Sequence, residues 1–289
     1  MKLALGTAQF GLKYGIANQG GRVSLTEAKK MMQFAVSQGI YTIDTAIDYG
    51  DSEVCLGEIG VQNLKVITKL PPMPLVCNDT SRWVIENITR SMLRLGCREL
   101  YGLMLHRSTD LQGESGLRLY KAIQSLKTEG LVKKIGVSIY SPTELDAIFP
   151  KFCLDIIQAP FNLVDQRLLI TGWLNRLKNS GIEIHTRSCF LQGLLLMPKK
   201  AIPKKFLKWN SLWNHWDSWL TENHFPASKV CLDFVQSFNQ IDQIVVGADN
   251  LTQLEQIVKV ATEPPCRIFP LLESNDEYLI NPSNWKYLE

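Results

Sequence analysis

Paired cysteines are missing from this 289-residue chain. Its seven cysteines (55, 77, 97, 153, 189, 231 and 266) are odd in number, scattered, and never spaced as C-x-x-C. That pattern signals neither a disulfide framework nor a zinc site and predicts buried free thiols. A surplus of one charge is also missing. Thirty-one Lys and Arg face 28 Asp and Glu for a net charge of +3, which argues against nucleic acid or a membrane as partner and for a small molecule. Long apolar runs are absent too. The opening "MKLALGTAQFG" is interrupted by Gly6 and Gln9, too soon for an export signal or a spanning helix, so a soluble cytoplasmic protein is expected. The glycine-rich fingerprint G-x-G-x-x-G does not follow the first apolar run, where "GTAQFG" stands instead; this weighs against an open, doubly wound dinucleotide-binding sheet. No internal repeat or low-complexity linker divides the chain, and a single domain is predicted.

What is present is alternation. Eight short apolar runs read as strands: 2–8, 41–46, 64–70, 100–106, 133–139, 153–159, 182–188 and 243–248. Amphipathic stretches of helical length separate them, the signature of βαβ units and a parallel sheet. Helix starts are marked by Ser24 with Glu27 as a capping box and Gly39 as the stop, by Asp79, by Ser141 with Glu144, and by Asn250. Eight strands each followed by a helix predict a closed (β/α)8 TIM barrel. Two segments break the rhythm: a long loop at about 195–226 and an irregular tail at about 263–289 that wraps the barrel. Long excursions of this kind tend to carry binding functions.

In such barrels chemistry sits where strands end. The second strand ends in Asp44 with Tyr49 on the loop beyond; the third ends near Lys69; the fourth ends in His106. Singly, each has an ordinary account: a helix cap, a packed ring, a solvated strand end, a core histidine. Together on consecutive strand ends they favour a catalytic reading. A phenol with an ordinary pKa near 10 needs a cation nearby to give up its proton at neutral pH. Lys69 could supply it, Asp44 could hold that lysine charged, and His106 could orient a substrate oxygen.

The stretch "IDTAIDYGDSEVCLG" resembles the aldo-keto reductase motif D-T-A-x-x-Y-G-x-S-E-x-x-L-G. The resemblance extends over nearly the whole chain. It implies a (β/α)8 barrel, a nicotinamide cofactor (NAD or NADP) bound extended without a Rossmann domain, and a catalytic tetrad of Asp44, Tyr49, Lys69 and His106 with Tyr49 as general acid. It also implies a cofactor site. Gly6 and Thr7 would contribute from the first strand end. "GVSIYS" supplies Ser138 for the carboxamide, with Ile139 in place of the usual Asn, and "IIQAPFN" supplies Gln158, with Asn162 four residues on. In "RSCFLQGLL" the segment Ser188 to Gly193, including Phe190, Leu191 and Gln192, matches the pyrophosphate stretch, although Arg187-Ser188-Cys189 replaces a frequent Tyr-Ser-Pro. "VVGADNLTQLEQI" resembles the adenosine segment, with Gly247, Asp249 and Gln253, and the helix from Asn250 aims its N-terminus at phosphate. Asp249 and Gln253 stand where relatives often carry Arg. A carboxylate suits a ribose hydroxyl and repels a 2′-phosphate, so the expectation leans towards NAD.

The resemblance leaves the substrate open among aldehydes, ketones and sugars. Lys199, Lys200, Lys204, Lys205 and Lys208, beside Trp209, Trp213 and Trp216, are either a solvated surface or a site for an anionic sugar whose ring stacks on an indole. The chain also resembles bacterial members found among polysaccharide and sugar-modification enzymes. Two other readings stand beside the reductase: a nicotinamide-binding sensor barrel with little turnover, and a lyase or isomerase using Lys69 as a Schiff base, which leaves Tyr49 unexplained. Monomer and homo-oligomer are both compatible with the fold.

Overall fold

All eight apolar runs form strands, and the strands close on themselves. The structure, a computed structural model, describes residues 2–288. In chain order the strands are β1 (Leu3–Gly6), β2 (Thr42–Asp44), β3 (Lys65–Leu70), β4 (Leu100–Leu105), β5 (Val132–Ser138), β6 (Ile156–Pro160), β7 (Glu183–Arg187) and β8 (Gln243–Val246). Each pairs in parallel with the next, and β8 returns to β1 through Leu3 opposite Ile244. The strand order predicted from the alternation is that of a (β/α)8 barrel in a single domain. Strands buried on both faces have no polar side to alternate with; β6, "IIQAP", is buried at every position.

The helices are α1 (Ala8–Gly11), α2 (Leu25–Ser37), α3 (Ser52–Ile59), α4 (Thr80–Leu95), α5 (Gly113–Thr128), α6 (Thr143–Ile148), α7 (Arg167–Ile170), α8 (Trp173–Asn179), α9 (Asn210–Asn223), α10 (Ala227–Gln236), α11 (Leu251–Thr262) and α12 (Glu277–Ile280). Their starts follow the capping chemistry in most cases. Asp79 accepts from the Arg82 N–H at 2.9 Å and Asn250 from the Gln253 N–H at 2.9 Å. The box at Ser24 is half formed. Ser24 accepts from the Glu27 N–H at 3.3 Å, while the Glu27 carboxylate reaches across to the Leu251 N–H of α11 at 2.8 Å. The helix expected from Ser141 begins at Thr143, with Glu144 accepting from the N–H groups of Tyr140 and Ser141 at 2.8 and 2.7 Å.

The segment 195–226, expected as a loop, is mostly helical. Short 3-10 turns at Lys199–Ala201 and Lys204–Trp209 lead into α9. The reason is the spacing of its indoles, which puts Trp213 and Trp216 on one helical face, where both are buried. Their N–H groups donate to Phe206 O and Leu195 O at 2.9 and 3.0 Å. The tail is irregular from 263 to 276 and then forms α12 and a 3-10 turn, Pro282–Tyr287.

Most of the core lies between the strands and the helix ring, while Ile67, Met104 and Ile156 pack together as a separate small cluster of strand residues. At the strands' N-terminal ends a polar plug forms around Glu183. Burial would raise this carboxyl, but bonds from His185, Lys134 and Tyr101 overcome it and hold its pKa at about 2. Cys55, Cys189, Cys231 and Cys266 are buried thiols as expected, Cys77 and Cys97 are half-buried, and Cys153 is exposed. No helix among the described residues is long and apolar enough to cross a membrane.

Candidate active site

The parallel register brings the strand ends together. Gly6 stands opposite Asp44, Asp44 opposite Ile67, and Lys69 opposite Met104 on the strand that leads to His106. Lys69, about 1% exposed, donates to Asp44 Oδ1 at 2.6 Å and to Thr45 O at 2.9 Å. The other Asp44 oxygen accepts from the Gln158 amide at 2.7 Å. Such a buried pair is tolerated because its remaining valences are satisfied.

Tyr49 lies on the turn between β2 and α3. Its N–H donates to Ala46 O at 3.1 Å, and its carbonyl accepts from the Ser52 N–H at 3.0 Å. Behind the turn, the Ser52 hydroxyl bonds Thr7 O and Thr7 Oγ1, each at 2.9 Å, while Thr7 itself reaches Asp44 O at 3.1 Å. Glu53, the next residue, accepts from Thr68 at 2.7 Å, Ser91 at 2.6 Å and Arg94 at 2.6 Å. The Ser-Glu pair that follows Tyr49 thus clamps the turn to β1, β3 and α4. Gly11 completes the clamp, since a Cβ there would stand 1.7 Å from Tyr49 O. The Tyr49 ring lies with its centroid 5.3 Å from Lys69 Nζ and meets His106 edge-on at 5.8 Å.

The electrostatics depart from expectation. Tyr49 was expected to be made acidic by Lys69; its pKa is instead raised, first by burial and then by Asp44. The ammonium's hydrogen bonds go to Asp44 and Thr45, so its field at the phenol is offset by the carboxylate it binds. Burial also lowers Lys69, opposed by Asp44. His106 is lowered to about 4 by burial and then by Lys69. At neutral pH the phenol therefore keeps its proton and the imidazole is neutral.

A groove of about 370 Å³ runs from Asp44 and Tyr49 to the first turn of α11. Gly6, Thr7, Gln158, Ser188, Phe190, Gln192, Gly193, Gly247, Asp249 and Gln253 all line it, as the sequence predicts. Ser138 is not in the lining; it is buried on β5, opposite Gln158 in register. Asn162 braces the groove wall, donating to Ser188 O at 3.0 Å. The backbone is left-handed at Ser188, Leu191, Gln192 and Gly193. For three non-glycine residues this costs about 1–3 kcal/mol each. It curls the chain into a concave turn, within which the Leu191 and Gly193 N–H groups donate to Ser188 O and Phe190 O at 2.8 and 2.9 Å.

Sequence reasoning missed the strap over this groove. In the connection after α1, Ile16 N–H donates to Gln192 O at 3.2 Å and Asn18 Nδ2 to Asp249 Oδ1 at 2.9 Å. Tyr14, Gly15, Ala17 and Asn18 line the cavity with Gln9, Ser228 and Gln256. The available signal was the turn-rich run "GIANQGG". The N-terminus of α11 differs from expectation, because its Leu251 and Gln253 N–H groups are already taken by Glu27 and Asn250. None of the five lysines and none of Trp209, Trp213 and Trp216 lines the groove. Trp209 donates to Asp276 at 3.0 Å, and Lys208 lies 4.0 Å from the Trp209 ring centroid.

The donor set suits an extended dinucleotide: an amide beside the polar centre, a concave backbone turn midway, and a carboxylate at the far end. Among the described residues no cluster of His, Cys, Asp and Glu could hold a metal.

The aldo/keto reductase family model matches residues 2–265. No curated protein matches the chain significantly. Among solved structures, aldo-keto reductase AKR11C1 from Bacillus halodurans in its holo form is similar over 92% of this chain and 88% of its own, with 17% identity and a TM-score of 0.73. An aldo-keto reductase of Pseudomonas aeruginosa is similar over 91% and 90%, with 19% identity and a TM-score of 0.67. At these identities the structures speak for the fold alone.

Proposed function

Since the chain belongs to the aldo/keto reductase family, a carbonyl/alcohol oxidoreductase in general, we propose that it reduces an aldehyde, ketone or sugar carbonyl with Tyr49 as proton donor. The single observation carrying this reading is the buried cluster in which Asp44 holds Lys69 at 2.6 Å beside the ring of a protonated Tyr49. When bound, a reduced nicotinamide dinucleotide supplies the hydride. The chain's own residues manage the proton. Tyr49 holds it on its phenol through neutral pH and releases it to the carbonyl oxygen as charge develops there. The neutral His106 donates a hydrogen bond that directs that oxygen towards Tyr49. Lys69, which Asp44 keeps in position, offsets that carboxylate's repulsion of the phenolate left behind. Gln158 ties its amide to Asp44, and the turn at Ser188–Gly193 would hold the phosphates of a bound dinucleotide.

The features of the far end favour NAD. Asp249 presents a carboxylate, the N–H groups of Leu251 and Gln253 are capped, and among the described residues no Lys or Arg lines that end of the groove.

The test is oxidation of NADH and NADPH against a panel of carbonyl compounds, repeated with Tyr49→Phe. The variant should lose turnover by at least ~100-fold while binding cofactor within about twofold of the original. Equal turnover in both proteins would end the proposal, and cofactor binding with no turnover of any carbonyl would favour a sensor barrel.

A further inference from the structure

His106 is placed without help from its own ring. Among the described residues its nitrogens have no protein partner, and the ring meets Tyr49 edge-on at 5.8 Å. The direction of the imidazole is therefore set by the backbone that carries it. That backbone leaves β4 after Leu105 and turns through a short 3-10 segment, Ser108–Leu111. Arg107 and Asp110 pair within the connection at 3.2 Å. Its far end is wedged against α5, where a Cβ on Gly116 would stand 2.1 Å from the Leu111 carbonyl carbon. At its near end, among the described residues, one side-chain hydrogen bond leaves it for the rest of the protein. The Ser108 hydroxyl, buried two residues beyond His106, donates to Glu144 Oε2 on α6.

Glu144 gathers three donors and no counter-ion. Its Oε1 accepts from the N–H groups of Tyr140 and Ser141 at 2.8 and 2.7 Å, and its Oε2 takes the Ser108 hydroxyl. Among the described residues no Lys or Arg pairs with it. Hydrogen bonds to a carboxylate are roughly twice as strong as those between neutral groups. The connection it grips is itself anchored. Tyr140 O accepts from Arg167 at 2.9 Å, and Arg167 is held by Asp165 at 2.8 Å and by Glu277 of α12. The carboxylate thus joins the chain that carries His106 to the chain after β5, which the tail braces.

We propose that Glu144, acting through Ser108, is a positioning residue for His106 and fixes the direction in which the imidazole meets the carbonyl oxygen. The proposal rests on the reading that His106 directs that oxygen towards Tyr49. It gives Glu144 a part in the reaction beyond the start of α6.

Ser108→Ala and Glu144→Ala remove the tie. Glu144→Gln keeps it, because the amide carbonyl can accept from both N–H groups while the NH2 donates to the Ser108 hydroxyl. The full chain is assayed with saturating NADH and the carbonyl compound of the panel that it reduces fastest. Turnover, kcat, should fall at least ~10-fold in the two alanine variants and stay within about twofold in Glu144→Gln, with NADH affinity within about twofold throughout. In a His106→Gln background, Ser108→Ala should change kcat by less than about twofold, a coupling that a merely structural contact would not show.

A second reading needs no turnover. The chain has four histidines, and the imidazole NMR signal missing from His106→Gln belongs to His106. It should move or broaden in Ser108→Ala and Glu144→Ala and return in Glu144→Gln, while the other three hold still. If no carbonyl is reduced, the proposed function fails, and the His106 signal still decides whether Glu144 positions the ring. An unmoved signal would overturn the inference. So would unchanged turnover in the alanine variants, or effects of Ser108→Ala and His106→Gln that simply multiply.

Discussion

The carbonyl oxygen of Tyr49 occupies the space that any side chain at Gly11 would need. A Cβ built there stands 1.7 Å from that oxygen and 2.6 Å from the Ser52 nitrogen. Both neighbours are backbone, and neither can move aside cheaply. Gly11→Ala should therefore destabilise the protein by about 2–3 kcal/mol and lower kcat at least ~10-fold, because the turn that carries the phenol must shift. Urea unfolding and turnover, read on the same preparation, check both parts. A variant of unchanged stability and activity would mean that the turn is not held by this contact.

Lys69→Met leaves the Asp44 carboxylate buried with Gln158 as its remaining side-chain partner. Losing one member of such a pair costs about 3–5 kcal/mol. Adding Asp44→Asn removes the orphaned charge and should recover most of that stability without recovering carbonyl reduction. Recovery of both would show that the pair is scaffold only.

His106 sets a pH dependence with a definite sign. Its folded pKa, about 4, lies below the ordinary 6.5. Between these values the unfolded chain takes up a proton that the folded protein refuses, so stability falls as pH drops from 6.5 to 4 and this contribution is constant above 6.5. The loss amounts to about 2 kcal/mol by pH 4.5. Urea melts at pH 7 and 4.5 should differ less for His106→Gln than for the natural protein. Glu183, held at about 2, loses its contribution only below 4.5, outside this window.

At the far end of the groove, Asp249→Ser combined with Gln253→Arg removes a carboxylate and adds a cation where a 2′-phosphate would sit. The ratio of NADH to NADPH affinity should move towards NADPH by at least ~10-fold. Fluorescence titration of both cofactors measures it. NADPH binding tenfold tighter than NADH to the natural protein would already refute the preference for NAD.

The barrel was legible because apolar runs buried on both faces leave a strong local trace, and because parallel pairing in sequence order turns eight such runs into a ring. Asp44, Tyr49, Lys69 and His106 were legible for the same reason, each lying at or just beyond the end of a run. What escaped was whatever depends on partners distant in sequence. Glu27 has the spacing of a local capping box, but its carboxylate caps a helix that begins at Leu251. The 195–226 segment is rich in lysine and proline, and its charges hid the helical spacing of Trp213 and Trp216. The direction of the Tyr49 shift depends on how Lys69 divides its field, which no spacing encodes.

The seam of the barrel also sets an order of assembly. The pairing of Leu3–Leu5 with Ile244–Val246 joins the first strand to the eighth, so β1 keeps one flank open until β8 is there to cover it. Contacts so far apart along the chain are slow to form. The wall built from Gly6, Thr7 and Gly247 is completed in that last step, and a newborn protein arrested before its eighth strand has no finished cradle for a dinucleotide.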